Sequence, residues 1–248
     1  LKNLADLPHV MAEAFHLMRS GRPGPVLLDL PLDVQMAQID FDIDAYTPLP
    51  VERQAPDAQA IDEALAMLKG AKAPLMIMGG GVTLAQAEPT AIQLAELLQL
   101  PVITTYMAKG GIPAAHPLNA GHAGIQVGQP LGNKYFLESD VVLGVGCRFT
   151  DRHTGDLQTY RGQRKFIHID VSPDQIGRVF APDLGIVADA GLALEALLRR
   201  GKELGMGPVN LQRAQAIPAL REEMARRTDY EGSPILPHRV FHEINRAF

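Results

Sequence analysis

The residues able to do chemistry in this 248-residue sequence gather in short polar or glycine-rich stretches, each directly after an apolar run. The densest is Gly146-Cys147-Arg148-Phe149-Thr150-Asp151-Arg152-His153-Thr154-Gly155, where two arginines flank an aspartate. Guanidinium forks suit pyrophosphate or carboxylate, and an adjacent carboxylate can hold one fork in place. A surface loop with local ion pairs is the competing reading. Met78-Gly79-Gly80-Gly81-Val82 lets a backbone approach a ligand and aims N–H groups at an anion, although a tight turn without a ligand wants the same glycines. It is not the G-x-G-x-x-G fingerprint. Thr104-Thr105-Tyr106-Met107-Ala108-Lys109-Gly110-Gly111 ends another apolar run in hydroxyls and a lysine that meets either phosphate or solvent. Asp170 and Asp189 close two more runs, where a carboxylate can accept ribose hydroxyls or cap the next helix. His122, His153, His168 and Cys147 lack the spacing of a zinc site, so no metal site is expected, and there is no nucleophile elbow or Walker lysine.

The elements that must position these stretches are legible from hydrophobic period. Residues 8–20 predict an amphipathic helix, and Val26-Leu27-Leu28-Asp29-Leu30, ended by Pro31, predicts a buried strand. Residues 40–56 are acidic, contain prolines and show no period, which predicts a linker. Beyond it a regular alternation predicts helix 58–69, strand 74–78, helix 85–98, strand 102–105, strands 141–145, 166–170 and 185–187, and helix 192–204. Strands separated by helices imply an α/β fold, a doubly wound parallel sheet of Rossmann-like type, with ligands beyond the carboxyl ends of its strands. Gly205 to Pro208 then breaks the pattern before a charged helix at 219–227. The expected organisation is therefore 1–43, the end of one domain; 44–56, a linker; 57–205, a central α/β domain; 206–234, a second linker; and 235–248, the start of another domain.

Composition narrows the function classes. A net charge of -5 gives no basic field for phosphodiester backbones or anionic lipid, so neither nucleic acid nor membrane is an expected partner. The longest apolar runs fall far short of the roughly 20 residues that cross a bilayer. One cysteine permits no intrachain disulfide and the first residues lack a signal-peptide core, so a cytoplasmic setting is expected. The absence of an initiator Met suggests an excised piece.

Several of these strings, in order and at similar spacing, resemble the thiamine-diphosphate enzyme family: Ser20-Gly21-Arg22-Pro23-Gly24-Pro25-Val26-Leu27-Leu28-Asp29-Leu30-Pro31, the triple glycine, Thr105 to Pro113, Gly146 to Gly155, and His168-Ile169-Asp170 through Gln175-Ile176-Gly177. Within it, Arg152-His153-Thr154-Gly155 and Gln175-Ile176-Gly177-Arg178-Val179 resemble the glyoxylate carboligases, with the acetolactate synthases next; these usually carry valine where His153 stands. The resemblance implies a carboligase joining two glyoxylates, with loss of carbon dioxide, to tartronate semialdehyde on thiamine diphosphate held by Mg2+. It implies that the central domain binds FAD without a net redox role, in a parent that is a homodimer or homotetramer. The flavin contacts carried over are Arg22, Gly79, Gly80, Gly81, Thr105, Tyr106, Met107, Gly124, Ile125, Gln126, Gly146, Cys147, Arg148, Asp151, Arg152, Asp170, Val171, Ile176, Asp189 and Ala190. Arg152 would also face a 2-oxo acid carboxylate. The glyoxylate carboligases usually have glycine and tryptophan at positions 108 and 109, where this sequence has Ala108 and Lys109. The Gly-Asp-Gly to Asn-Asn stretch that holds Mg2+ and diphosphate does not occur here, so no catalytic residue is expected within the chain and the isolated chain is expected to be inactive. A non-catalytic nucleotide- or flavin-binding module is the rival reading.

Overall fold

The computed structural model describes residues 1–124 and 129–247. Its centre is one six-stranded sheet, β1 (Pro74–Met78), β2 (Val102–Thr104), β3 (Asn119–His122), β4 (Val141–Val145), β5 (Lys165–Asp170) and β6 (Leu184–Val187). Their order across the sheet is β3-β2-β1-β4-β5-β6 and every pairing is parallel, with Ile77 opposite both Ile103 and Gly144. Parallel strands expose both faces to helices, which explains why β1, β4 and nearly all of β5 are buried at consecutive residues. Along β1, Met76 and Met78 enter one core while Leu75 and Ile77 enter the other.

The helices are α1 (Leu7–Arg19), α2 (Leu32–Met36), α3 (Ala58–Lys69), α4 (Gly80–Leu84), α5 (Glu88–Leu98), α6 (Pro130–Leu137), α7 (Asp151–Thr154), α8 (Leu157–Arg161), α9 (Ala190–Glu203), α10 (Leu211–Gln215), α11 (Ile217–Glu223) and α12 (Pro237–Ala247). The larger core takes apolar faces of α3, α5 and α9; the other holds Leu131, Tyr135 and Phe136 of α6, Tyr160 of α8 and Ile217 of α11. Asp57 caps α3 by accepting the Ala60 N–H at 2.9 Å, and Asp189 caps α9.

Three expectations need correction, and one strand has no counterpart in the sequence reading. Residues 26–30 form no strand, and Leu27 is 92% exposed: a strand needs a neighbour for its ladder hydrogen bonds, and residues 1–56 contain no other strand. The helix expected at 85–98 starts only at Glu88, as α5, because Gln86 turns at φ 53° after α4 has ended at Leu84 and Pro89 opens the new helix in its first turn. Helix 219–227 ends at Glu223. The strand β3, of sequence Asn-Ala-Gly-His, carries no apolar signal and is held as a sheet edge by its pairing with β2. Residues 209–221 are strapped to the sheet domain: the Val209 N–H donates to the Leu98 carbonyl, and Arg221 donates to the carbonyls of His116 and Asn119 at 2.7 and 2.6 Å.

Arg164 is a buried cation held by carbonyls in place of a carboxylate. It donates to Phe136 and Leu137 at the end of α6 (2.9 and 2.7 Å) and to Thr159 and Tyr160 at the end of α8 (3.0 and 2.9 Å), over the Phe136 ring. These are the acceptors a helix end leaves unpaired, at the negative pole of its dipole. Lysine cannot span four of them, so Arg164→Lys is expected to lower unfolding free energy by about 3 kcal/mol in urea titration. A loss within experimental error would show that the carbonyls find other donors.

Candidate functional site

Because all six strands run the same way, the turns that follow them share one edge of the sheet. The strand order reverses between β1 and β4, where crevices form in such sheets. The turn after β1 and the turn after β4 touch there through backbone alone. The Gly79 N–H donates to the Val145 carbonyl at 2.8 Å, and the Gly81 N–H to the Gly146 carbonyl at 3.1 Å. A Cβ at Gly79 would lie 2.1 Å from the Gly146 oxygen, and one at Gly81 would lie 2.7 Å from the Gly146 Cα. Gly80 faces Met107, whose Cβ a methyl group there would meet at 2.9 Å. Two of the three glycine N–H groups are therefore spent inside the chain.

Around this floor stand the polar groups. Arg148, Asp151 and Arg152 are exposed and make no ion pair among the described residues, so Asp151 holds neither guanidinium, contrary to the simplest sequence reading. Two solvated guanidiniums four residues apart leave their donors available to an anion. Tyr106 and Met107, on a 3-10 turn after β2, are each 69% exposed, and the Thr105 N–H donates to the Met78 carbonyl at 2.9 Å. Cys147 is fully buried and its thiol is pushed up to about 12 by burial, so it is inert. Gly124 sits at φ 127° with its N–H on Asn133 Oδ1 at 3.0 Å. Ile125 and Gln126 lie outside the described residues.

The remaining candidates are engaged or set apart. Asp170 is buried at the end of β5 and accepts the Ser172 N–H at 3.0 Å. Val171 is half-buried after it, and Ile176 packs over Gly185 of β6. Asp189 accepts the Gly191 and Leu192 N–H groups at 2.9 and 3.1 Å and pairs with Arg53; burial opposes its charge, but these partners hold its carboxyl below the usual range. Ala190 is buried in α9. Arg22 is exposed on the turn after α1, without an ion pair among the described residues. The glycine floor and the free arginines have the chemistry that an anionic dinucleotide would need, whereas Asp189 already accepts three bonds on Oδ1, from its helix cap and Arg53.

Residues outside the sequence-derived set also bear on this edge. His122 Nδ1 lies 2.6 Å from Thr104 Oγ1, joining the ends of β2 and β3, and burial lowers its pKa. Phe149 is a non-glycine residue at φ 50°, which costs about 1–2 kcal/mol. His153 is buried beside Tyr160 with neither ring nitrogen in a formed hydrogen bond; the nearby Ala123 backbone partly opposes the shift without a well-aligned bond. No sequence signal distinguishes these from ordinary loop residues.

An open parallel α/β sheet of this kind, doubly wound and with its turns gathered at one carboxyl edge, is an architecture in which ligands bind beyond the strand ends. The sequence model of the thiamine pyrophosphate enzyme central domain matches residues 61–197, more than half of the chain. The chain belongs to the thiamine-diphosphate-dependent enzyme family. It is 45% identical to the glyoxylate carboligase of Escherichia coli O157:H7, across 100% of this chain and 42% of that protein. It is 33% identical to a probable acetolactate synthase large subunit of Methanococcus aeolicus, across 98% of this chain and 43% of that protein. The acetolactate synthase large subunit of Corynebacterium glutamicum is 39% identical across 81% of this chain and 32% of its own length. The chain thus spans less than half the length of these curated relatives.

Burial holds the His153 imidazole down to about 4, so it is neutral in the folded state at neutral pH. Its unfolded counterpart takes up a proton near 6.5, so folding loses stability as pH falls from about 6.5 to about 4 and no more below that. The expected contribution at pH 4 is about 3 kcal/mol. Urea titrations at pH 7 and pH 4 are expected to show a loss larger by this amount in the wild type than in His153→Phe, since His122 and His168, whose pKa values burial also lowers, destabilise both proteins as pH falls. Equal losses would remove His153 as its source.

Proposed function

We propose that this chain is the FAD-binding central part, with flanking pieces, of a carboligase that condenses two glyoxylate molecules to tartronate semialdehyde and carbon dioxide. The single observation that carries the substrate is the 45% identity with a glyoxylate carboligase along the whole chain. Identity to acetolactate synthases is lower, at 33–39%, which makes condensation of larger 2-oxo acids the second choice. The proposed layout is a central α/β domain at 57–205 between the end of a pyrimidine-binding domain and the start of a pyrophosphate-binding domain, in a homodimer or homotetramer.

The flavin reading is supported by the unpaired Arg148 and Arg152 above a floor from which glycine has removed every side chain. The guanidiniums would bind the pyrophosphate, and the glycine backbones would admit the dinucleotide close to the sheet. The cationic charge of Arg152 would also orient a 2-oxo acid carboxylate. When bound, thiamine diphosphate with Mg2+ supplies the carbanion chemistry of the ligation, and no residue of this chain is assigned a proton transfer.

Titration of the purified chain with FAD, followed by flavin fluorescence and thermal melting, is expected to show saturable, stabilising binding. Arg148→Ala is expected to weaken it by about tenfold or more, the loss of one charge-assisted contact. Tight binding that ignores Arg148→Ala would place the flavin elsewhere. The chain supplied with glyoxylate, thiamine diphosphate and Mg2+ is expected to release no carbon dioxide; measurable release would show a catalytic centre within these residues.

A further inference from the structure

The turn after β4 must reverse sharply to present Arg148 outward and start α7 with Arg152 exposed. Between them stands Phe149, only 2% exposed and held at a left-handed φ of 50° that aromatic side chains seldom adopt. Its ring folds back under the strand it has just left and enters a cage of five rings: His168 at 4.9 Å, Phe180 at 5.1 Å, Phe166 at 5.9 Å, Tyr160 at 6.2 Å and His153 at 6.5 Å between centroids. The space it fills exists because Gly144 lacks a side chain; a Cβ there would lie 2.5 Å from the tip of the Phe149 ring. On the other side of the turn, His168 Nε2 lies 2.9 Å from the Cys147 carbonyl and pins it to β5.

A glycine inside a buried strand ordinarily weakens it, and a bulky residue at positive φ is ordinarily avoided. Here each unfavourable choice accommodates the other, and together they set the direction in which both free arginines leave the sheet. We propose that Phe149 is the positioning residue of the anion-binding rim: its ring, seated against Gly144 and braced by the His168 bond to Cys147, fixes Arg148 and Arg152 on one side of the crevice. The ligand part of this proposal rests on the flavin reading; the wedge itself does not.

The experiment uses the sole thiol as a built-in reporter. Cys147 is buried between Gly146 and Arg148, and its labelling by a thiol reagent reads the position of the turn without any ligand. In the full chain, Gly144→Ala is expected to retain a cooperative thermal transition, to label Cys147 about tenfold faster than wild type through local opening, and to bind FAD about tenfold more weakly. Phe149→Leu removes the ring tip and is expected to do the same, and adding Gly144→Ala to it should change little further, because the two residues act through one contact. Protected Cys147 in both single variants, or additive effects in the double variant, would overturn the proposal. If the wild type binds no FAD, the flavin reading fails while the thiol reactivity still decides the wedge: faster labelling upholds it and unchanged labelling overturns it.

Discussion

The contact on which the carboxyl edge depends is the backbone-to-backbone approach of the β1 and β4 turns. Two N–H donors, from Gly79 and Gly81, continue the parallel hydrogen-bond ladder one step past the ends of the strands, to the carbonyls of Val145 and Gly146. The interlocking is so close that a methyl group on either side would collide with backbone, which has no rotamer with which to yield. Because β1 and β4 are the neighbours at which the winding of the sheet reverses, their turns would otherwise diverge and leave a deep gap. Drawing them together closes the bottom of that gap and leaves a shallow floor of main chain beneath the side chains of the rim.

That floor constrains what can line it. With glycines on both sides there are no side chains to supply charge, so charge arrives from the loop after β4. The protein uses arginine in two opposed ways within fifteen residues of this loop. Arg164 is buried and saturated by four helix-end carbonyls, and its charge serves to join α6 to α8. Arg148 and Arg152 are solvated and uncommitted, and no acceptor in the chain competes for them among the described residues. A planar guanidinium suits either setting, because its donors fan out in a fixed fork and it is less strongly hydrated than an ammonium group.

Most of the sheet was legible in the sequence because its central strands are buried on both faces and therefore read as unbroken apolar runs. Strands β1 and β4 coincide with their expected limits, and β5 starts one residue early. The same logic misled at Val26–Leu30, where an equally apolar run finds no partner strand within residues 1–56. It failed at β3, whose residues offer the backbone for pairing and little else. The glycine turns and the arginine-rich loop were visible as candidates by position. The cage around Phe149 was not, since it assembles rings from α7, α8 and β5 and from the loop before β6, and no local pattern carries a contact of that range. Asp189 was legible as either a ribose acceptor or a cap, and the structure gives it a cap and an ion pair.

The glycine motif and the arginines differ in what they say about a ligand. Each glycine of the β1 turn is required by packing alone, since Gly79 and Gly81 abut Gly146 and Gly80 abuts Met107, so its presence needs no ligand to explain it. The arginines have no such internal reason. Among the described residues their guanidiniums hold nothing in the chain, yet the segment that carries them is fixed at a conformational cost, with Phe149 at positive φ and His153 buried without a hydrogen bond. Backbone strain and unpaired buried polar atoms persist only where the surrounding structure over-determines them, as the Gly144 seat does for Phe149, and they concentrate where a chain has a ligand to meet. Anion binding at this edge therefore depends on the β4 turn and its two free cations, with the glycines serving to bring the backbone within reach.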